Sequence, residues 1–256
     1  MIIQIYEIQT EAEAELVISL GADHIGSVVV SKTYWADLKI RSAIDLTHKA
    51  GKKSSLIPLF NDVTVICRCI EYYRPDIIHF CDSIAMGQLH ADDVVNLIDT
   101  QEKIRNCFPE IKIMRSIPIF EPGKGQVYDV LALAKQVEPY SDFFLTDTII
   151  NTFKDKICAN DQPVAGFVGI TGRICDWKIA SELVAQSTIP VILAGGLGPS
   201  NVTTAIKKVK PFGVDSCTAT NAYDTKGKSI RFKKDPEKVR QFIAAARAAE
   251  SLISSS

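Results

Sequence analysis

Apolar residues along this chain gather in short runs rich in β-branched side chains. Such runs are too short for helices and read as strands buried on both faces. They are predicted at Ile2 to Tyr6, His24 to Val30, Ser54 to Phe60, Asp76 to Phe80 and Ile111 to Arg115 or slightly beyond. Three more are predicted at Asp142 to Leu145, Ile189 to Ala194 and Phe212 to Ser216. Between them lie longer mixed stretches with capping residues before and Gly or Pro after, which read as helices. Thr10 caps a helix over Glu11 to Leu20, closed by Gly21. A helix from about Leu38 to Lys49 is closed by Gly51, and Asn61 or Asp62 caps one ending near Tyr73. Others run from Asp92 to Cys107, up to about Val137, from the Asp176 cap to Gln186, and from Pro236 to Ala249. Pro199 and Ser200 open a further helix that stops at Pro211.

Eight strands alternating with helices, without a linker, predict an α/β protein built as one (β/α)8 TIM barrel over residues 1–250. The Ser-rich residues 251–256 are expected to be a flexible tail. A doubly wound open sheet would carry a glycine fingerprint after its first strand, and YEIQTEAEAE has none.

Hydrophobic content of 46% supports a full core, and a formal net charge of −1 gives no electrostatic case for nucleic acid or an anionic membrane. Any anion must therefore be held locally. No apolar run reaches membrane-spanning length, and the acidic N-terminus does not read as a signal peptide. Seven cysteines without metal-like spacing read as reduced, core-filling thiols of a cytoplasmic protein. No metal and no cofactor is expected, and the oligomeric state is left open.

In a barrel the chemistry lies where strands end. Gly195 and Gly196 follow strand 7, and Cys217-Thr218-Ala219-Thr220 follows strand 8. Two such loops side by side offer free N–H groups to a phosphate, although a lone Gly-Gly can also be a mere turn. Asp147, in FFLTDT, is an acid at the rim of a dry site and reads as a general acid, or as a cap. Glu7 reads as a base or a surface acid, His79 as a proton carrier or a core histidine, and Tyr6 as a donor or packing. Lys32 and Arg115 read as anion partners or solvated cations. The long aperiodic segment Thr146 to Cys175 carries Gly169, Thr171, Gly172 and Arg173 and reads as a lid over the strand 6 acid.

These pieces resemble one family. PVILAGGLGPSNVTTAIKKVKPFGVD, TGRICDW, LTDT and LGADHIGSVV look like segments of phosphoribosylanthranilate isomerase, a ribulose-phosphate-binding type of barrel. The likeness is specific from about Phe143 to Asp215 and weak between Thr47 and Gln136. It implies a cofactor-free Amadori rearrangement of a small phosphorylated substrate in tryptophan biosynthesis. It also implies that Asp147 is the acid and that the phosphate lies on Gly195, Gly196 and the Thr218–Ala219 turn. Gly172 and Arg173 belong to the matching loop.

Five residues depart from that pattern. Tyr6 stands where the family has its base cysteine, and Thr33 where it has an arginine for the anthranilate carboxylate. Ala219 replaces a glycine, and His79 and Cys81 replace a polar motif. The competing expectations are a related sugar-phosphate epimerase or aldolase, and a non-catalytic phosphate-ligand-binding barrel.

Overall fold

The computed structural model describes residues 1–82, 91–125, 128–150, 164 and 166–254. Eight parallel strands close into a barrel in the order β1 to β8. They are β1 Ile2–Ile5, β2 His24–Val29, β3 Lys53–Pro58, β4 Ile77–Phe80, β5 Lys112–Phe120, β6 Phe143–Ile149, β7 Val191–Leu193 and β8 Gly213–Ser216. The ring shuts where β1 pairs with β8, Gln4 facing Asp215 and Ile5 facing Ser216. Helices α1 Glu11–Ser19, α2 Leu38–Lys49, α3 Val63–Tyr73, α4 Ala91–Cys107, α5 Val130–Val137, α6 Trp177–Gln186, α7 Val202–Val209 and α8 Pro236–Ser254 surround it. Among the described residues, no helix is long and apolar enough to cross a membrane.

The strands alternate their side chains between two environments. Outward-facing Ile3, Ile5, Ile25, Phe144, Val191 and Val214 pack under the helices α1 and α5 to α8. Val29, Leu56, Ile78 and Ile113 do the same under α2 to α4. Inward-facing Ile77, Met114, Leu145 and Ile192 fill the barrel. Local capping starts the helices: Thr10 Oγ1 accepts from the Glu13 N–H, Asp62 from Val65 and Asp176 from Lys178.

Several boundaries differ from the sequence expectation. β5 runs on to Phe120 and β6 to Ile149, because the two pair continuously from Met114–Phe143 to Phe120–Ile149. Asp147 therefore lies inside β6 rather than beyond it. Asn201, not Ser200, is the N-cap of α7. The last helix covers Ser251 to Ser254, so most of the expected tail is helical. A hairpin of β9 Asn221–Tyr223 and β10 Ser229–Lys234 follows the barrel, where no strand was expected. Much of the expected lid, residues 151–163 and 165, lies outside the described residues.

Candidate active site

Tyr6 leaves β1 at the open end of the barrel. Its ring lies against Gly26 of β2, where a Cβ would sit 2.2 Å from the ring. Its hydroxyl is thereby carried to the other strands, 2.5 Å from Ser55 Oγ on β3 and 2.7 Å from His79 Nδ1 on β4. His79 Nε2 meets Ser116 Oγ at 2.9 Å. Burial, helped by the Arg115 charge, pushes His79 down to about 3, so its imidazole is neutral. Burial pushes the Tyr6 hydroxyl well above its usual value. A protonated phenol and a neutral imidazole, both hydrogen-bonded, make part of the cavity floor.

Three carboxyls, of Glu7, Asp147 and Asp215, line the same cavity, which is also walled by Leu59, Leu145 and Ala194, and burial raises two of them. Burial raises Asp147 to about 7, against the hydrogen bond it accepts from the Thr148 N–H at 2.9 Å. The segment after β6 passes directly over this carboxyl. A Cβ on Gly169 would be 2.0 Å from Asp147 Oδ2. Burial raises Asp215, on β8, to about 8; Gln4 Nε2 opposes this by donating at 3.2 Å, while the charge of Asp147 adds to it. Near neutral pH these two groups hold protons to give and sites to receive them.

The loops after β6, β7 and β8 meet beside the carboxyls. Gly195 and Gly196 have φ of +92° and +60°, and a Cβ on Gly196 would be 2.7 Å from the Arg173 carbonyl carbon. Gly172 abuts Thr218, whose Cγ2 would be 3.3 Å from a Cβ there. Asn201 holds the middle loop, accepting from the Gly198 N–H at 2.9 Å and donating to the Gly196 carbonyl at 3.0 Å. Among the described residues, no protein acceptor meets the N–H groups of Gly172, Gly195 or Gly196. Unpaired amides converging at a barrel mouth suit a phosphate. Thr218 and Ala219 line the same wall.

Of the sequence candidates, Tyr6, Glu7, His79, Asp147, Gly172, Gly195, Gly196, Thr218 and Ala219 all face this cavity. Arg115 does not. Because β5 continues past it, Arg115 sits mid-strand with its side chain outward. It is ion-paired to Asp82 at 2.8 Å and bonded to Gln101 of α4 at 2.8 Å. Lys32 is exposed on the β2 loop, away from the lining. Arg173 is 56% exposed and pairs with Glu121 at 3.0 Å. The sequence named Cys217 only as part of the strand 8 turn and gave Asp215 no role; both also line the cavity. Asp215 was hidden in an apparently apolar run, and its only signal was the inward phase of the strand. Among the described residues, no cluster of His, Cys, Asp or Glu could hold a metal ion.

Fold and site together define a (β/α)8 barrel that sets buried carboxyls beside glycine loops with free backbone N–H groups. The profile of the family described as N-(5'phosphoribosyl)anthranilate (PRA) isomerase matches residues 123–245. N-(5'-phosphoribosyl)anthranilate isomerase 2 of Methanosarcina mazei is 31% identical over 259 aligned residues, covering 94% of this chain and 97% of that protein. The chain belongs to the phosphoribosylanthranilate isomerase family. The solved N-(5'-phosphoribosyl)anthranilate isomerase of Pyrococcus furiosus shares the fold, with a TM-score of 0.67 and 23% identity over 97% of this chain and 99% of its own. Another solved barrel of that family, with a TM-score of 0.60 and 18% identity over 97% of this chain and all of its own, is in complex with reduced 1-(o-carboxyphenylamino)-1-deoxyribulose 5-phosphate.

Proposed function

We propose that this chain isomerises N-(5'-phosphoribosyl)anthranilate to 1-(o-carboxyphenylamino)-1-deoxyribulose 5-phosphate. One observation carries the reading: two buried carboxyls with raised proton affinity share a cavity with the Gly195–Gly196 cradle. The cradle takes the 5'-phosphate, and the sugar extends from it toward Asp147. Asp147 gives its proton to the ring oxygen as the C1'–O bond breaks and the anthranilate nitrogen lone pair forms C1'=N. A base then takes the C2' proton, and the C–H electrons form C1'=C2' while the nitrogen recovers its pair. The resulting enol becomes the ketone. Hydrogen thus moves from C2' to C1' within one molecule, an internal oxidation and reduction that needs no outside electron carrier.

We assign the base to Asp215, one of the two carboxyls that exchange protons near neutral pH, acting in the molecules where it has released its proton while Asp147 keeps its own. Tyr6 keeps its proton at neutral pH, and its hydroxyl is engaged by Ser55 and His79. His79 is a weak base with both nitrogens occupied, and Glu7 is ion-paired with Arg231. Tyr6 in this reading is a floor for the sugar, not a titrating group.

The test is growth of a tryptophan auxotroph that lacks this isomerase. Rescue by the wild-type chain but not by Asp147→Asn is expected. Expression of folded protein without rescue would overturn the assignment.

A further inference from the structure

The substrate proposed above carries two anionic ends. The cradle serves the phosphate, yet among the described residues the cavity lining contains no lysine or arginine for the aryl carboxylate. The nearest link to a cation in that lining is Glu7, which pairs with Arg231 from beyond the barrel strands. The β9–β10 hairpin brings this cation. Its pairing runs from Ser229–Tyr223 to Lys234–Asn221, so two steps on β9 oppose five on β10. The surplus residues form a bulge that carries Arg231 and Phe232. Phe232 has φ of +62°, a strained conformation for an aromatic residue, and packs against the barrel-interior cluster that contains Tyr6 and Val28. The Arg231 guanidinium lies 4.6 Å from the Phe232 ring centroid.

Arg231 is only partly engaged. Its Nε is paired with Glu7, which lines the cavity and itself has φ of +66°. Its second terminal nitrogen is buried and, among the described residues, has no acceptor. An unpaired buried guanidinium N–H is costly unless something arrives to accept from it. The neighbouring Lys234 is already committed, donating to the Cys217 carbonyl at 2.8 Å and to Asn221 Oδ1 at 2.6 Å.

We propose that the Arg231–Phe232 bulge is the aryl-carboxylate subsite of this barrel, Arg231 donating its free N–H to the substrate carboxylate while Phe232 flanks the aromatic ring. Glu7 is then a positioning residue that aims the guanidinium. Specificity for a carboxylated aromatic amine comes from an appendage after the eighth strand, not from the loop after the second, where Thr33 stands. This inference rests on the function proposed above.

The test is calorimetric binding of reduced 1-(o-carboxyphenylamino)-1-deoxyribulose 5-phosphate and of its analogue without the carboxylate, to wild type and to Arg231→Gln. Loss of one charge-assisted hydrogen-bonding partner should weaken the carboxylated ligand about 10–100-fold and leave the other within about twofold. Arg231→Lys should recover part of the difference. Equal weakening of both ligands, or of neither, would overturn the subsite. If wild type binds neither ligand, the proposed function fails first, and the subsite falls with it.

Discussion

The contact of the Tyr6 ring with Gly26 makes a prediction that the strand pattern alone would not. In the wild type, a Cβ on Gly26 would approach three ring atoms of Tyr6 at 2.2 to 2.6 Å. Neither side can retreat, since the ring is anchored by Ser55 and His79 and the backbone by pairing of Gly26 with Ser55 of β3. Gly26→Ala should therefore cost about 1–3 kcal/mol through overpacking. Tyr6→Cys removes a buried ring, a change that costs about 3–5 kcal/mol when an aromatic is cut to alanine. The sulfur refills part of the space, and water can reach the hydroxyl and imidazole left behind, so a net loss of about 2–4 kcal/mol is expected. In the Tyr6→Cys background the Gly26→Ala clash disappears and the added methyl fills cavity. The double mutant should then be no less stable than Tyr6→Cys, a coupling of about 1–3 kcal/mol. Urea unfolding of the four proteins, with comparable m-values, measures this cycle directly. Additivity within about 0.5 kcal/mol would show that the ring does not occupy the space above Gly26.

Two further outcomes follow from the carboxyls and the cradle. Asp147 is raised from 3.8 unfolded to about 7 folded, so its stabilising share is complete below about 4 and is lost as pH rises through about 7. Melting temperatures of the wild type should fall across that window, and Asp147→Asn should flatten the fall while slowing turnover by about 10²–10⁴; parallel curves would contradict the burial of this group. Gly196→Ala forces a Cβ against the Arg173 backbone at a φ of +60°. It should displace the cradle and weaken inorganic phosphate binding by about tenfold or more, as loss of a charged-acceptor hydrogen bond implies. Unchanged binding by calorimetry would move the phosphate elsewhere.

Much of the architecture was legible because it is encoded locally. Thr10, Asp62 and Asp176 each cap a helix through hydrogen bonds spanning only two or three residues. The errors arose where long-range partners decide. The expected strands stopped near Arg115 and at Leu145, before the polar Ser116, Thr146 and Asp147. In the barrel they are satisfied by His79, by the Ala194 backbone and by the Thr148 N–H, and the strands continue. Arg115 looked like an anion partner until strand phase turned it outward to Asp82. The place of Gly195 and Gly196 at the barrel mouth after β7 was legible because the order of strands and loops along the chain fixes it. Asp215 and the Arg231 bulge were not, since a single inward acid and an irregular hairpin leave no repeating pattern. The meaning of Tyr6 depended on Gly26, twenty residues away, and no local rule connects them.

The central claim is tested most directly by supplying N-(5'-phosphoribosyl)anthranilate to the purified chain and following its conversion. Steady turnover by the wild type, reduced by about 10²–10⁴ in Asp147→Asn with folding retained, is the predicted result. No turnover by a folded wild type, or equal turnover by the variant, would contradict it.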